Sequence, residues 1–318
     1  MAIILAVDLG GTHVKLGIVA DGALVAEDRT AAPATLRELG AVAERARRLV
    51  GAQAAAGAEA TAVGVAAPGV VHPGTGRLTS IHDKYGYLVG HDLPGWAAAE
   101  LDLPAVVEND ARAALLGEVA AAEVAPGTPV RDAAIVITGT GIGTAVLAGG
   151  EPLVGPEGYG GILGGHFTVD LDGPPCNCGN VGCAEAIGGS WNLAAQVRAV
   201  VGWQQSALAG AVSDGSMSMT VLFEASAAGD GVAAAVADRV LRAWAATAVN
   251  LCHAYQPELL IFSGGTMHAA AGQRQQLADA VDRYLWSALP RPELRFAETP
   301  EHSVVRGLAV LVERKDPR

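Results

Sequence analysis

The chain has 318 residues, of which 51% are hydrophobic, and 21 Lys plus Arg stand against 33 Asp plus Glu, for a net charge of −12. That length exceeds the ~250–300 residues at which single cores stop growing, so two domains are expected. The acidic balance argues against a nucleic-acid-binding surface, which needs clustered cations, but says little about a small anionic ligand.

Residues 3–8 read as a buried strand, interrupted by Asp8 and preceded by no basic segment, so the N-terminus is a first strand and not a signal peptide. A second strand spans 14–20, and Asp21-Gly22 is a hairpin turn. Residues 35–56 have helical periodicity, with Leu36, Leu39, Val42, Ala43, Ala46 and Leu49 on one face. Short strands follow at 63–66, stopped by Pro68-Gly69, and at 106–107, and a helix over 110–122 takes Asn109 as its N-cap.

The opening pattern then returns, with a strand at 135–138, a Gly-rich turn, a second strand and a turn at Gly149-Gly150. At an offset of 129, Gly10 falls on Gly139, Leu24 on Leu153 and Val25 on Val154, a weak internal repeat of the kind a duplicated fold leaves. The uncharged stretch 133–150 reaches membrane-span length, but its five Gly and three Thr disfavour a spanning helix. No membrane association is expected, and the cytoplasm is the expected location. Beyond it the chain is more helical, with helices over 231–255, 269–287 and 303–314 and a strand over 259–263.

Five motifs can carry chemistry. In Asp8-Leu9-Gly10-Gly11-Thr12, with Lys15 beyond, two glycines allow close backbone approach to a phosphate, and the Thr hydroxyl can donate to its oxygens; an ordinary hairpin turn is the alternative. Thr138-Gly139-Thr140-Gly141 repeats the arrangement, and two such turns fit a nucleoside triphosphate, which needs donors on both sides of its phosphates. Ser263-Gly264-Gly265-Thr266 follows a strand and either flanks a nucleoside or opens a helix. Glu108-Asn109-Asp110 can hold sugar hydroxyls or take a hydroxyl proton, although from spacing alone a plain N-cap is the stronger reading.

The fifth motif is His166 with Cys176, Cys178 and Cys183. Three thiolates and an imidazole match a closed Cys3His zinc site, and four protein ligands leave no open position, so such a zinc is structural. Gly179 and Gly182 permit the tight loop; buried free thiols or a transient disulfide are the alternatives.

In this order and spacing, Asp8-x-Gly-Gly-Thr12, Gly64-x-x-x-Pro68-Gly69, Glu108-Asn-Asp110, Gly139-Thr-Gly141, His166 and Cys176-x-Cys178-Gly-x-x-Gly-Cys183-x-Glu185 resemble the ROK family of repressors, open reading frames and kinases across nearly the whole chain. The resemblance implies an α/β, actin-like ATPase (ribonuclease H-like) fold, with two α/β domains around a cleft. The smaller would span 1–118, with a C-terminal helix at 303–318 packing back on it; the larger would span 119–302 and carry the zinc loop 166–185. It implies an ATP-dependent, glucokinase-like hexose kinase using Mg²⁺ and a structural Zn²⁺, acting as a homodimer on a sugar 6-hydroxyl. By the same resemblance Asp110 is the catalytic base, and Gly69, Asn109, His166 and Glu185 bind sugar. Asp8, Gly10, Gly11, Thr12, Lys15, Thr138, Gly139, Thr140, Gly141, Gly264 and Gly265 bind ATP, with Asp8 near Mg²⁺.

Two departures bear on the substrate. Family kinases usually carry Glu-x-Gly-His where this chain has Leu163-Gly164-Gly165-His166, and a Leu cannot accept a hydrogen bond, so Glu157 or Glu185 takes over or the sugar is not the usual hexose. The segment 81–96, with Lys84, Tyr85 and Tyr87, also departs from the family's Asn-Leu-x-x-Trp. Family repressors carry an N-terminal helix-turn-helix, for which a first strand at Ile3 leaves no room. A non-catalytic sugar sensor is the other alternative; Asp110 and both phosphate turns count against it, and Leu163 counts for it.

Overall fold

The computed structural model describes residues 2–81, 83–122 and 129–315. The Lys84 side chain and residues 316–318, part of the expected C-terminal helix, lie outside what is described. The first half runs β1 (Ala2–Leu9), β2 (His13–Ala20), β3 (Ala23–Ala31), α1 (Leu36–Ala55), β4 (Glu59–Ala67), β5 (Val70–Val71), β6 (Leu78–Ser80), α2 (Leu93–Leu101), β7 (Ala105–Asn109) and α3 (Asp110–Ala121). The middle holds β8 (Ala133–Thr138), β9 (Ile142–Ala148), β10 (Glu151–Pro152), α4 (Ala184–Gly188), α5 (Leu193–Arg198), α6 (Ala209–Asp214), α7 (Met219–Ala227) and α8 (Gly231–Tyr255). The chain closes with β11 (Leu259–Ser263), α9 (Thr266–Ala269), α10 (Arg274–Tyr284), β12 (Glu293–Phe296) and α11 (Pro300–Lys315).

The chain divides into two compact units, residues 1–129 with 152–160 and 299–318, and residues 130–151 with 161–298. Each is built on a five-stranded sheet, ordered β3-β2-β1-β4-β7 in the first unit and β10-β9-β8-β11-β12 in the second. In both, a central strand pairs antiparallel with its hairpin partner and parallel with a later strand of the chain: β1 with β2 and β4, β8 with β9 and β11. The weak repeat of the sequence is thus a repeat of topology. The same offset that laid Gly10 on Gly139 lays the end of β1 on the end of β8 and the start of β2 on the start of β9.

Local chemistry explains the element ends. Asp21 and Gly22 both have positive φ, as the tight β2–β3 turn requires. Thr35 caps α1 by accepting from the Glu38 N–H, and the Glu38 carboxylate accepts from the Ala34 N–H in return. Leu39, Val42, Ala43 and Ala46 of α1 are buried, whereas Leu36, expected on the same face, is exposed at the first turn. Asp230 caps α8, and the helix ends at Gln256 in a left-handed conformation before Pro257. The helix expected over 269–287 is instead α9, a 3₁₀ turn at Ala271–Gln273 and α10. It breaks at Gly272 and stops at Leu285, where the chain turns extended and Arg291 ties down the carbonyls of Trp286 and Leu289.

The first unit's core lies between its sheet and helices, with Leu5, Val7, Ile18, Leu39, Val63 and Leu88 buried in one cluster. Helix α11 packs on α3 at Gly117 and Gly307, where backbone meets backbone, and Ser303 Oγ donates to the Glu118 carboxylate. Helix α3 is thereby held firmly, and its N-terminal residue is Asp110. Among the described residues no helix is long and apolar enough to cross a membrane.

Candidate active site

In the first unit the parallel strands β1, β4 and β7 bring the expected residues to their carboxyl ends, where ligands of open α/β sheets bind. Asp8 pairs with Ala66 of β4, Ala66 with Glu108 of β7, and Ala67 with Asn109. Asp8 is buried, its carboxyl raised by desolvation and partly lowered again by Lys15, whose Nζ lies 3.6 Å away on the paired position of β2. Beyond β1, Gly11 and Thr12 are exposed. Gly10 is fastened by the buried Tyr85, whose hydroxyl donates to the Gly10 carbonyl at 2.9 Å. Burial pushes the Tyr85 phenol up, which keeps it protonated as a donor. Tyr85, noticed in the sequence only as a departure from a pattern, is therefore part of the turn's support.

Asn109 ends β7 and caps α3. Its Oδ1 accepts from the Ala111 and Arg112 N–H groups at 3.0 and 3.1 Å, and its Nδ2 donates to the Gly69 carbonyl at 2.9 Å and to Asp110 Oδ1 at 3.1 Å. All four hydrogen-bonding positions of the amide are thus engaged. Asp110 Oδ1 also accepts from the Ala111 N–H at 2.8 Å. Burial, with the Asp8 charge added, raises the Asp110 carboxyl to about 7, within the range that suits a general base near neutrality.

One residue of this region escaped the sequence reading. Arg112 is fully buried, pairs with Glu108 at 3.0 Å, and donates to the carbonyls of Leu153, Val154, Gly158 and Gly160. These bonds fix the segment 153–160 to the helix that begins with Asp110. Glu108 lies in β7 and Arg112 in the first turn of α3, so the pair joins strand to helix, and the four carbonyl partners have no local signal. Glu157, on the same segment, is exposed.

In the second unit, parallel β8 and β11 bring two further expected turns together. Gly264 lies against the Thr138 backbone, Thr266 Oγ1 donates to Thr138 Oγ1 at 2.6 Å, and Thr138 Oγ1 donates to the Ser263 carbonyl at 3.4 Å. The Gly139–Gly141 turn is gripped from behind by α4 and the residues after it. Glu185 Oε2 accepts from the Ile142 N–H at 2.9 Å, and the N–H groups of Ser190 and Trp191 donate to the carbonyls of Gly139 and Thr140.

His166, Cys176, Cys178 and Cys183 bring their ligand atoms within 4.8 Å of one another. Cys178 Sγ and Cys183 Sγ are 3.6 Å apart, and Cys176 Sγ lies 3.8 Å from His166 Nδ1. A tetrahedron with Zn–S bonds of ~2.3 Å has sulfur–sulfur edges of ~3.8 Å, so the donor set and its spacing fit zinc. The loop holds this shape by its own hydrogen bonds, Cys176 N–H to the Asn180 carbonyl and Ala184 N–H to the Phe167 carbonyl. Gly179 and Gly182 adopt the positive φ that the loop requires, +90° and +69°. Since Nδ1 of His166 faces the sulfurs, the ring's other nitrogen is directed away from the cluster. Leu163 is 43% exposed, so it does not fill the core at the position where the pattern calls for Glu.

Comparison with known proteins follows the same lines. The model of the ROK family matches residues 4–315. A glucokinase of Thermotoga maritima is 31% identical over 84% of this chain and 83% of its own. An N-acetylmannosamine kinase of Escherichia coli O157:H7 is 33% identical over 60% of this chain and 62% of its own. The crystal structure of a ROK family glucokinase from Streptomyces griseus, in complex with glucose and AMPPNP, superposes with a TM-score of 0.78 at 25% identity, covering 98% of this chain and 99% of that one. The architecture is the actin-like ATPase fold of these kinases.

Proposed function

Because the chain belongs to the ROK family, we propose that it is an ATP-dependent sugar kinase that transfers the γ-phosphate of ATP to a hexose hydroxyl, the 6-hydroxyl of glucose or of a related hexose. The observation that carries this reading is Asp110, a carboxylate at a helix N-terminus with its pKa raised to about 7. One of its oxygens is tied to Ala111 and Asn109, and the other is left to take the proton of a sugar hydroxyl. The hydroxyl oxygen then attacks the γ-phosphorus, and ADP leaves. Such a base contributes ~10²–10⁴-fold, the remainder coming from positioning and charge stabilisation.

Gly69, His166 and Glu185 are the sugar's further partners in this proposal. Asn109 reaches a sugar hydroxyl only by exchanging one of its present bonds, such as the one its Nδ2 donates to Asp110. The nucleotide's partners are Asp8, Gly10, Gly11, Thr12 and Lys15 together with Thr138, Gly139, Thr140, Gly141, Gly264 and Gly265. Asp8 would hold Mg²⁺, which would supply charge neutralisation on the phosphates. His166, Cys176, Cys178 and Cys183 hold a structural zinc, which fixes the loop and the orientation of His166. The proposed enzyme is cytoplasmic and works as a homodimer, each chain having two domains, 1–118 with the C-terminal helix and 119–302.

Leu163 favours a second reading, a sugar other than glucose or a sensor without turnover. A coupled ADP-release assay over a panel that includes glucose, mannose and N-acetylmannosamine tests both. Turnover on one of these supports the kinase and names its sugar. Sugar binding without ADP release from any of them refutes the kinase in favour of the sensor.

A further inference from the structure

We infer that Glu185 is a positioning residue for the Gly139-Thr140-Gly141 turn, so that the segment leaving the Cys3His cluster sets nucleotide affinity. The inference rests on the kinase reading above, in which that turn receives ATP phosphates, and gives Glu185 a task separate from accepting a sugar hydroxyl.

A Gly-rich turn binds phosphate through backbone N–H groups, and those groups must point the right way before the ligand arrives. Glycine makes the turn possible and also makes it mobile, and the ordering cost then falls on binding unless something else holds the turn. Here it is held at several points by one short segment. The Glu185 carboxylate accepts from the Ile142 N–H at 2.9 Å, at the downstream end of the turn. Ser190 and Trp191 N–H groups donate to the Gly139 and Thr140 carbonyls at 3.1 and 3.2 Å. The Glu185 carbonyl accepts from the Gly189 N–H at 2.8 Å, which fixes the residue from which Ser190 and Trp191 extend. The contact at Gly141 is so close that any Cβ there would overlap the Glu185 carboxylate.

Charge points the same way. A carboxylate behind a phosphate turn repels the nucleotide, so Glu185 does not serve as a ligand for it; what it offers the turn is a hydrogen-bond acceptor and a steric stop. The residue sits in the first turn of α4, whose N-cap is Cys183 of the cluster. Anchoring of Cys183 thereby anchors the brace.

The test is calorimetric binding of Mg²⁺–AMPPNP with no sugar present, to the full chain with its metal content measured. Glu185→Ala is expected to weaken binding by about tenfold or more, the range of a hydrogen bond to a charged group. Glu185→Gln, which keeps an acceptor oxygen, is expected to stay within about threefold of the wild type. Gly141→Ala displaces the carboxylate and weakens binding, and in the Glu185→Ala background the added methyl costs less, so the two effects do not multiply. Unchanged affinity in Glu185→Ala, or effects of the two substitutions that multiply, overturns the inference. Hydrogen exchange at the Ile142 amide is a readout independent of nucleotide: protection is lost in Glu185→Ala and kept in Glu185→Gln, and equal protection in both overturns the brace. Failure of the wild type to bind AMPPNP overturns the kinase reading, and the Ile142 amide still decides whether Glu185 holds the turn.

Discussion

Asp8 and Asp110 stand at the carboxyl end of one sheet, close enough that the charge of the first raises the pKa of the second. Burial is the larger cause, and together they bring Asp110 to about 7. The rate profile kcat/KM against pH is therefore expected to fall on the acid side with a midpoint near 7. Asp8→Asn lowers activity and moves that midpoint to lower pH, because a repelling charge is gone. A midpoint that stays in place removes Asp8 from the electrostatics of the base.

Stability follows from the same pKa. In the folded chain Asp110 holds its proton above its unfolded value of 3.8, so between pH ~4 and ~7 the folded state binds more protons than the unfolded. Stability from this group is complete below pH ~4 and is lost as pH rises through 7, by roughly 4 kcal/mol at most. Asp110→Asn accepts the same bonds from Ala111 and Asn109 without the charge. It is expected to lower turnover by ~10²–10⁴-fold, keep sugar affinity, and melt higher than the wild type at pH 8 but not at pH 4. Normal turnover in this variant excludes Asp110 as the base.

Arg112 donates to Glu108 and to four backbone carbonyls, so its removal strands several acceptors at once. Arg112→Met is expected to cost ~3–5 kcal/mol in urea unfolding, and Arg112→Lys nearly as much, since an ammonium cannot serve the fork of partners.

Leu163 is exposed, so replacing it carries little folding penalty. Leu163→Glu restores the acceptor that family kinases usually carry. Glucose affinity is expected to rise by about tenfold, as for one hydrogen bond to a charged group, with the melting temperature unchanged. No gain on glucose or N-acetylmannosamine excludes this position as the determinant of sugar choice.

One zinc per chain is expected by elemental analysis. Cys178→Ala loses it, and sugar affinity falls with it because His166 loses its fixed orientation. A zinc-free wild-type protein with full activity removes the metal from the site.

Much of this was legible in the linear chain because the responsible physics is local. Strands β1, β8 and β11 are apolar runs ended by Gly-rich turns, and Asn109 is a capping residue in front of a helix. The three cysteines and two glycines of residues 176–183 prescribe their own loop. Sequence alone also fixed the order of the family's motifs, and with it the duplicated architecture that the two sheets display.

Tertiary structure decided the rest, because burial and partnership join residues far apart in the chain. That Arg112 is a clamp depends on carbonyls some forty residues away. That Tyr85 fastens Gly10 depends on a contact across 75 residues. The raised pKa of Asp110 needs both its burial and the position of Asp8 two strands over, and the grip of Glu185 on the Gly141 turn needs α4 packed behind β9. The sequence named the residues proposed to carry the chemistry; the fold decided which of them are held, and by what.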